Sequence, residues 1–272
     1  MSSPFVAGVG EVLSADIAVP EHEREMRFYS DILTTGERPL WRDDLMNNRG
    51  TPIIGLGARS AEYESLPLQW MPHIQVSQVA FSVSRALELG GQELMHGKDE
   101  QGASQWAVLL DPNGAAFGVI PVVAADALAA SDTMSSSETG KKRGTATQVG
   151  CIAGVELTVP TANAKATREF YREVIGWSPR TVAGEGAGEH QHHDMIGSSG
   201  NSVARICEVS ESDPSVPPVW LLRIPVGDLP ESVRRVREHG GTILTESAGS
   251  GGRNASAVVK DPVGSYLALV QG

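Results

Sequence analysis

The chain has 272 residues, 40% of them hydrophobic and 20% charged, an ordinary globular composition that excludes disordered and fibrous classes. A formal net charge of -11 argues against partnership with nucleic acid or an anionic membrane, since both require a basic surface. The two cysteines, Cys151 and Cys207, lack metal-type spacing and are read as reduced thiols; with no leader-like segment and no long apolar run, the chain is expected to be cytoplasmic.

Residues 12–19 alternate in polarity and stop at Pro20, which predicts a strand. A helix is predicted over 21–33, with Met26, Tyr29 and Leu33 at helical spacing. Short strands are expected at 39–41, 44–46 and 52–57, separated by turn residues. A strand at 73–76 leads into a helix over 79–89 that Gly90 and Gly91 terminate. Strands at 107–110 and 115–120 then flank an Asp-Pro-Asn-Gly turn at 111–114.

The same order returns in the second half. DIAVP at 16–20 recurs as ELTVP at 156–160, and Phe28-Tyr29 as Phe170-Tyr171. From there the offset settles at 150: Trp70 pairs with Trp220, Gly90-Gly91 with Gly240-Gly241, and Asp111-Pro-Asn-Gly with Asp261-Pro-Val-Gly. The offset grows by two near the start of the first helix and by eight between Trp177 and Asp194, where the Gly-rich stretch 182–188 sits, as loop insertions do. The chain therefore divides into modules at 6–122 and 150–271, joined by a linker at 123–149 rich in Ala, Ser, Thr and Gly.

A strand ending in Val-Pro, a helix carrying Phe-Tyr, a Trp, a helix ending in Gly-Gly and a final Asp-Pro-x-Gly hairpin, all occurring twice, resemble the vicinal oxygen chelate superfamily of glyoxalase I, bleomycin resistance proteins and extradiol dioxygenases. That resemblance implies an α+β fold of two tandem glyoxalase-like modules. Each is a pair of βαβββ units forming an open, cup-shaped mixed sheet with helices outside, and the modules pair within the chain. It also implies a divalent metal in the cup, acting as a Lewis acid on two adjacent substrate oxygens and held by His, Glu or Gln on the first, fourth, fifth and eighth strands.

Carried onto this sequence, the ligand columns fall near Ser14 and Gly154, Gly55 and Arg205, Met71 and Leu221, and Gly118 and Ala268, so the usual metal positions are largely lost and no cofactor is expected there. Polar groups one step along the strands are the candidate acid-base residues: Asp16 and His73 in module one, and Glu156 in module two, whose counterpart to His73 is Arg223. Alternatively, each carboxylate pairs with its own module's basic partner as a structural anchor. In the run 189–194, strand alternation lets only His190 and His192 converge as displaced metal ligands, while His193 or Asp194 is a candidate for lining the cup. Trp70 and Trp220 are candidates, with Arg223, for ligand binding by stacking at the cup's mouth, or else for burial between the modules. Three functions follow: binding of a small, partly apolar molecule; a lyase or dioxygenase working through unorthodox residues or a displaced divalent metal; or assembly with a protein partner.

Overall fold

The computed structural model describes residues 7–48, 50–123, 151–182, 192–210, 216–248 and 255–272. Linker residues 124–149, residues 183–188 of the Gly-rich stretch and His190 lie outside the described residues.

Module one is an open six-stranded sheet in the order β2-β1-β3-β6-β5-β4, formed by β1 (Val12–Val19), β2 (Ile54–Ala58), β3 (Met71–Val76), β4 (Gln92–Lys98), β5 (Ser104–Leu110) and β6 (Ala116–Pro121). Its helices are α1 (His22–Leu33) and α2 (Val79–Glu88). Module two is an eight-stranded sheet built from β7 (Gly154–Pro160), β8 (Ser178–Val182), β9 (His192–Ile196), β10 (Ser202–Val209), β11 (Trp220–Val226), β12 (Thr242–Ser247), β13 (Ser256–Lys260) and β14 (Tyr266–Gln271), in the order β12-β13-β14-β11-β7-β10-β9-β8. It carries α3 (Thr161–Ile175) and α4 (Leu229–Glu238). In both sheets the two units of a module meet through a central antiparallel pair, β1 with β3 and β7 with β11.

The strands expected at 39–41 and 44–46 are absent, and only isolated bridges, Trp41 to Asn47 and Met46 to Pro52, mark their place. Leu45 sits at φ 58, and the Leu45 amide bonds back to the Arg42 carbonyl, so the segment closes into a turn instead of extending. Trp41 is pulled elsewhere: its indole N–H donates to the Pro225 carbonyl of the other module at 2.6 Å.

The helices lie outside each cup and, at the same time, between the two modules. α1 packs on α4 and α2 on α3, so the sheets stand back to back across a helical layer that holds the main hydrophobic core. The apolar stripe of α1 (Phe28, Tyr29, Ile32, Leu33) and that of α3 (Phe170, Tyr171, Val174, Ile175) are buried there. The repeated residues explain themselves at this seam. Trp70 donates to the Tyr29 hydroxyl (3.2 Å), which donates to Asp261 of the other module (2.8 Å). Reciprocally, Trp220 donates to Tyr171 (3.0 Å), which donates to Asp111 (3.2 Å). Ser82 donates to the Val174 carbonyl and Ser232 to that of Ile32, both at 2.7 Å.

The Gly-Gly pairs serve the same seam. Gly90 and Gly240 end their helices at φ 86 and 87. A Cβ on Gly91 would stand 3.2 Å from the Phe170 ring, and one on Gly241 3.0 Å from the Phe28 ring, besides meeting nearby carbonyls. Tyr171, Trp177 and Trp220 meet at centroid distances of 5.2 to 5.9 Å, each pair adding about 0.5–1.5 kcal/mol beyond burial.

Candidate functional site

The outward face of module one encloses a cavity of about 620 Å³. Strand alternation puts Asp16 of β1, Met71 and His73 of β3, Val108 of β5 and Gly118 of β6 on that face, with Gly55 and Gly57 of β2 beside them. Tyr63, Leu66, Met95, Trp106 and Ile120 supply most of the remaining apolar wall. Trp106 is 40% exposed, and its indole lies across Gly97, where a Cβ would be 2.2 Å from the ring nitrogen.

The polar floor is made by Asp16 and His73, with Ser14 bonded to His73, and Gln105 adds an amide to the lining. Ser14 Oγ is 3.0 Å from His73 Nδ1, and His73 Nε2 is 3.5 Å from Asp16 Oδ2. Burial lowers the His73 pKa, and the Asp16 charge offsets this only in part, so the ring is neutral at pH 7. Glycines make this floor possible. A Cβ on Gly118 would stand 2.6 Å from His73 Cδ2, and one on Gly55 2.2 Å from Asp16 Oδ1. Gly118 and Gly55 are two of the positions onto which the resemblance carries the family's ligand columns, and the imidazole and the carboxylate lie over them.

That donor set does not fit the family's divalent metal. It offers one imidazole and one carboxylate facing each other, with a hydroxyl engaged on the ring, where the family arrangement needs about four nitrogen and oxygen ligands. No group of three or more His, Cys, Asp or Glu side chains able to hold a metal occurs among the described residues.

The same face of module two is built differently. Glu156, Arg205, Asp194 and Arg180 stand in one row across β7, β10, β9 and β8, a register that alternates charge from strand to strand. Asp194 accepts from Arg180 (3.1 Å) and Arg205 (3.3 Å), and Arg223 reaches Glu156 at 3.4 Å. Burial pushes the Asp194 pKa up, but the two guanidinium groups outweigh it and hold the carboxyl below its usual range. Cys207, beside Glu156, has its thiol pushed well up, first by burial and then by that carboxylate. Val216, Val219 and Leu221 form a cluster with Leu244, Val258 and Tyr266 over the rest of the face.

Of the residues singled out in the sequence, Asp16 and His73 come together in the open cup. Glu156, Asp194 and Arg223 come together in module two, in ion pairs, with His192 on the same face opposite Cys207. His193 points the other way, opposite Ile206, and is buried against α3, 3.0 Å from Glu208, which in turn accepts from Arg168 at 2.8 Å. Trp70 and Trp220, 1% and 0% exposed, are in the seam, away from the cavity. Sequence reasoning missed Gly57, Tyr63 and Trp106. Alternation along β5 carries a signal for Trp106, two residues before Val108 on the same face, but nothing in the sequence separates it from a surface indole.

Two back-to-back modules of paired β-α-β units, each with a cup on its outer face, define a tandem glyoxalase-type protein. Residues 13–120 match the glyoxalase-like domain family and residues 155–269 the glyoxalase/bleomycin resistance protein/dioxygenase superfamily, so the chain belongs to that superfamily. Among curated proteins it is similar to the anthracycline biosynthesis proteins DnrV of Streptomyces peucetius (28% identity) and DauV of Streptomyces sp. strain C5 (26%). Each match runs over 211 residues, 77% of this chain and 68% of the relative. Among solved structures it resembles 2,2',3-trihydroxybiphenyl 1,2-dioxygenase from Sphingomonas wittichii strain RW1, with 12% identity, a TM-score of 0.53 and coverage of 98% and 91% of the two chains. It also resembles the Mn(II)-bound glyoxalase from Novosphingobium aromaticivorans, with 14% identity, a TM-score of 0.51 and coverage of 98% and 83%. At these identities the structural likeness speaks to the fold. No helix among the described residues is long and apolar enough to cross a membrane.

Proposed function

We propose that this chain is a small-molecule-binding protein that works through the cup of module one, with module two as its structural partner. The observation that carries the proposal is the cavity of about 620 Å³, a size typical of small-molecule sites, walled by apolar side chains and left open by glycines at the former ligand columns. An apolar wall that includes the part-exposed Trp106 ring suits a planar ring system. The relatives' involvement in anthracycline biosynthesis supports a ligand of that kind, a fused-ring aromatic compound bearing oxygen substituents. Binding on this reading needs no metal, because the cup offers one imidazole, already bonded to Ser14, and one carboxylate, short of a metal's ligand set.

The test is a fluorescence titration with a hydroxyanthraquinone, paired with elemental analysis after incubation with Zn²⁺, Ni²⁺, Mn²⁺ or Fe²⁺ and dialysis. Saturable quenching without retained metal is expected. Stoichiometric metal, or binding only after metal loading, would overturn the reading. A second reading, acid-base catalysis on the bound compound, is favoured by one observation: the Ser14, His73 and Asp16 chain, in which a neutral imidazole is available as a base. On that reading His73→Ala abolishes turnover of the bound compound while leaving its affinity within about threefold.

A further inference from the structure

The duplication provides an internal control for the charge in the open cup. In module two the carboxylate on the first strand, Glu156, is met by Arg223 from β11 at 3.4 Å and has Arg205 opposite it in the β10 register. In module one the matching carboxylate is Asp16, and both arginine positions have changed. Arg223 is replaced by His73, and Arg205 by Gly55. The His73 ring faces Asp16 at 3.5 Å, but burial keeps it uncharged near neutral pH. At Gly55 the Asp16 carboxylate lies directly over the bare backbone, where a guanidinium stem would otherwise rise. Asp16 also lines the cavity, among apolar walls that include Tyr63 and Trp106. A carboxylate at the edge of an apolar cavity, without the cations its twin has, is a binding group for a cation brought from outside. Aromatic rings on the same cavity add attraction for a positive charge.

We infer that the ligand of module one carries its own cation, a protonated amine on a flat aromatic body, and that Asp16 is the group that receives it. The inference rests on the cup being the binding site and adds the chemical class of what binds. The amine takes the place that Arg205 and Arg223 occupy in module two, and the ring system lies along the apolar wall toward Trp106.

Two probes of matched shape test it, 9-(aminomethyl)anthracene, charged at pH 7, and 9-anthracenemethanol, neutral. The amine is expected to bind the wild-type chain about tenfold more tightly than the alcohol, a preference that narrows as salt rises. Asp16→Asn should bring the amine down to the alcohol's affinity without changing the latter. Gly55→Arg, which supplies module two's cation from within and must displace the Asp16 carboxylate lying 2.2 Å from the new Cβ, should remove the preference for the amine over the alcohol even where it weakens both. Glu156→Gln, in the other module, should leave the preference intact. Equal affinity for the two probes, or a preference that survives Asp16→Asn, overturns the cation inference and leaves the cup reading standing. Failure of both probes to bind overturns both.

Discussion

The two cups share a scaffold and differ in what stands on it. Module one has Gly55 and Gly57 where module two has Arg205 and Cys207; both modules carry an apolar cluster on this face, Leu66, Met71, Val108 and Ala116 in one and Val216, Val219 and Leu221 with Tyr266 in the other, and beside it lies an open cavity in module one and a row of ion pairs in module two. Duplication keeps the seam-forming residues under one constraint, since each module's tyrosine, tryptophan and turn aspartate complete a chain of hydrogen bonds with the other. Cup-facing residues carry no such obligation and are free to diverge. The lesson is that back-to-back packing puts the folding constraint on the inner faces and leaves the outer ones for function.

The seam is nearly symmetric, and its departures sharpen this contrast. Thr167 on α3 lies 2.9 Å from the Asn113 amide of the opposing turn, whereas the matching pair in the other half is Glu25 and Val263. Glu25 is 0% exposed, neither of its carboxylate oxygens has a hydrogen-bond partner among the described residues, and burial, with Asp261 nearby, raises its pKa to about 7. A raised folded-state value means that the proton is held in the fold and lost in the unfolded chain. Glu25 therefore contributes stability that is complete below about 4.5 and disappears as pH climbs to about 7. Thermal unfolding of Glu25→Gln should gain about 3 kcal/mol relative to wild type between pH 4 and pH 8. Parallel pH profiles for the two proteins would contradict a buried, proton-holding Glu25.

The clamps come next in size. Tyr29→Phe leaves Asp261 Oδ2 and the Trp70 N–H without the hydroxyl that joins them, at a cost of about 1–3 kcal/mol in denaturant unfolding. Tyr171→Phe should cost less, because Asp111 Oδ2 keeps the Asn113 amide at 3.2 Å. The reverse ranking would mean that the Asn113 amide does not compensate Asp111 for the lost hydroxyl. The smallest effect belongs to module two's outer face. There Asp194→Asn should cost no more than about 1 kcal/mol, since both of its arginines remain solvent-accessible, and should leave probe binding in module one unchanged.

Much of the fold was legible in the sequence because the repeated residues are the ones that make it. The Val-Pro strand ends, Phe-Tyr helices, Gly-Gly stops and Asp-Pro-x-Gly turns fall where the repeat puts them. The missing strands at 39–41 and 44–46 were not legible, since Leu45 reaches the left-handed region and Trp41 answers to a carbonyl in the other module. β4 also escaped, because its half-exposed residues give no clean alternation. At the site, Asp16 with His73 and Glu156 with Arg223 followed from alternation and the repeat offset, and the same rule separates Asp194 from His193. What alternation cannot convey is volume. That Gly55 and Gly57 leave a cavity beside β1, while Arg205 and Cys207 stand at the matching places in its twin, depends on strands meeting in space.

One measurement bears most directly on the proposal that module one's cup is the binding site. Isothermal titration of the full chain with the aminomethyl anthracene should give one ligand per chain. Gly57→Phe should abolish that binding with no more than about 0.5 kcal/mol lost in stability, because a Cβ there meets nothing closer than the Ile17 carbonyl at 3.8 Å. Cys207→Ala, the matching position in module two, should leave both affinity and stoichiometry as they were. Two ligands per chain, or one that persists in Gly57→Phe, would contradict the account.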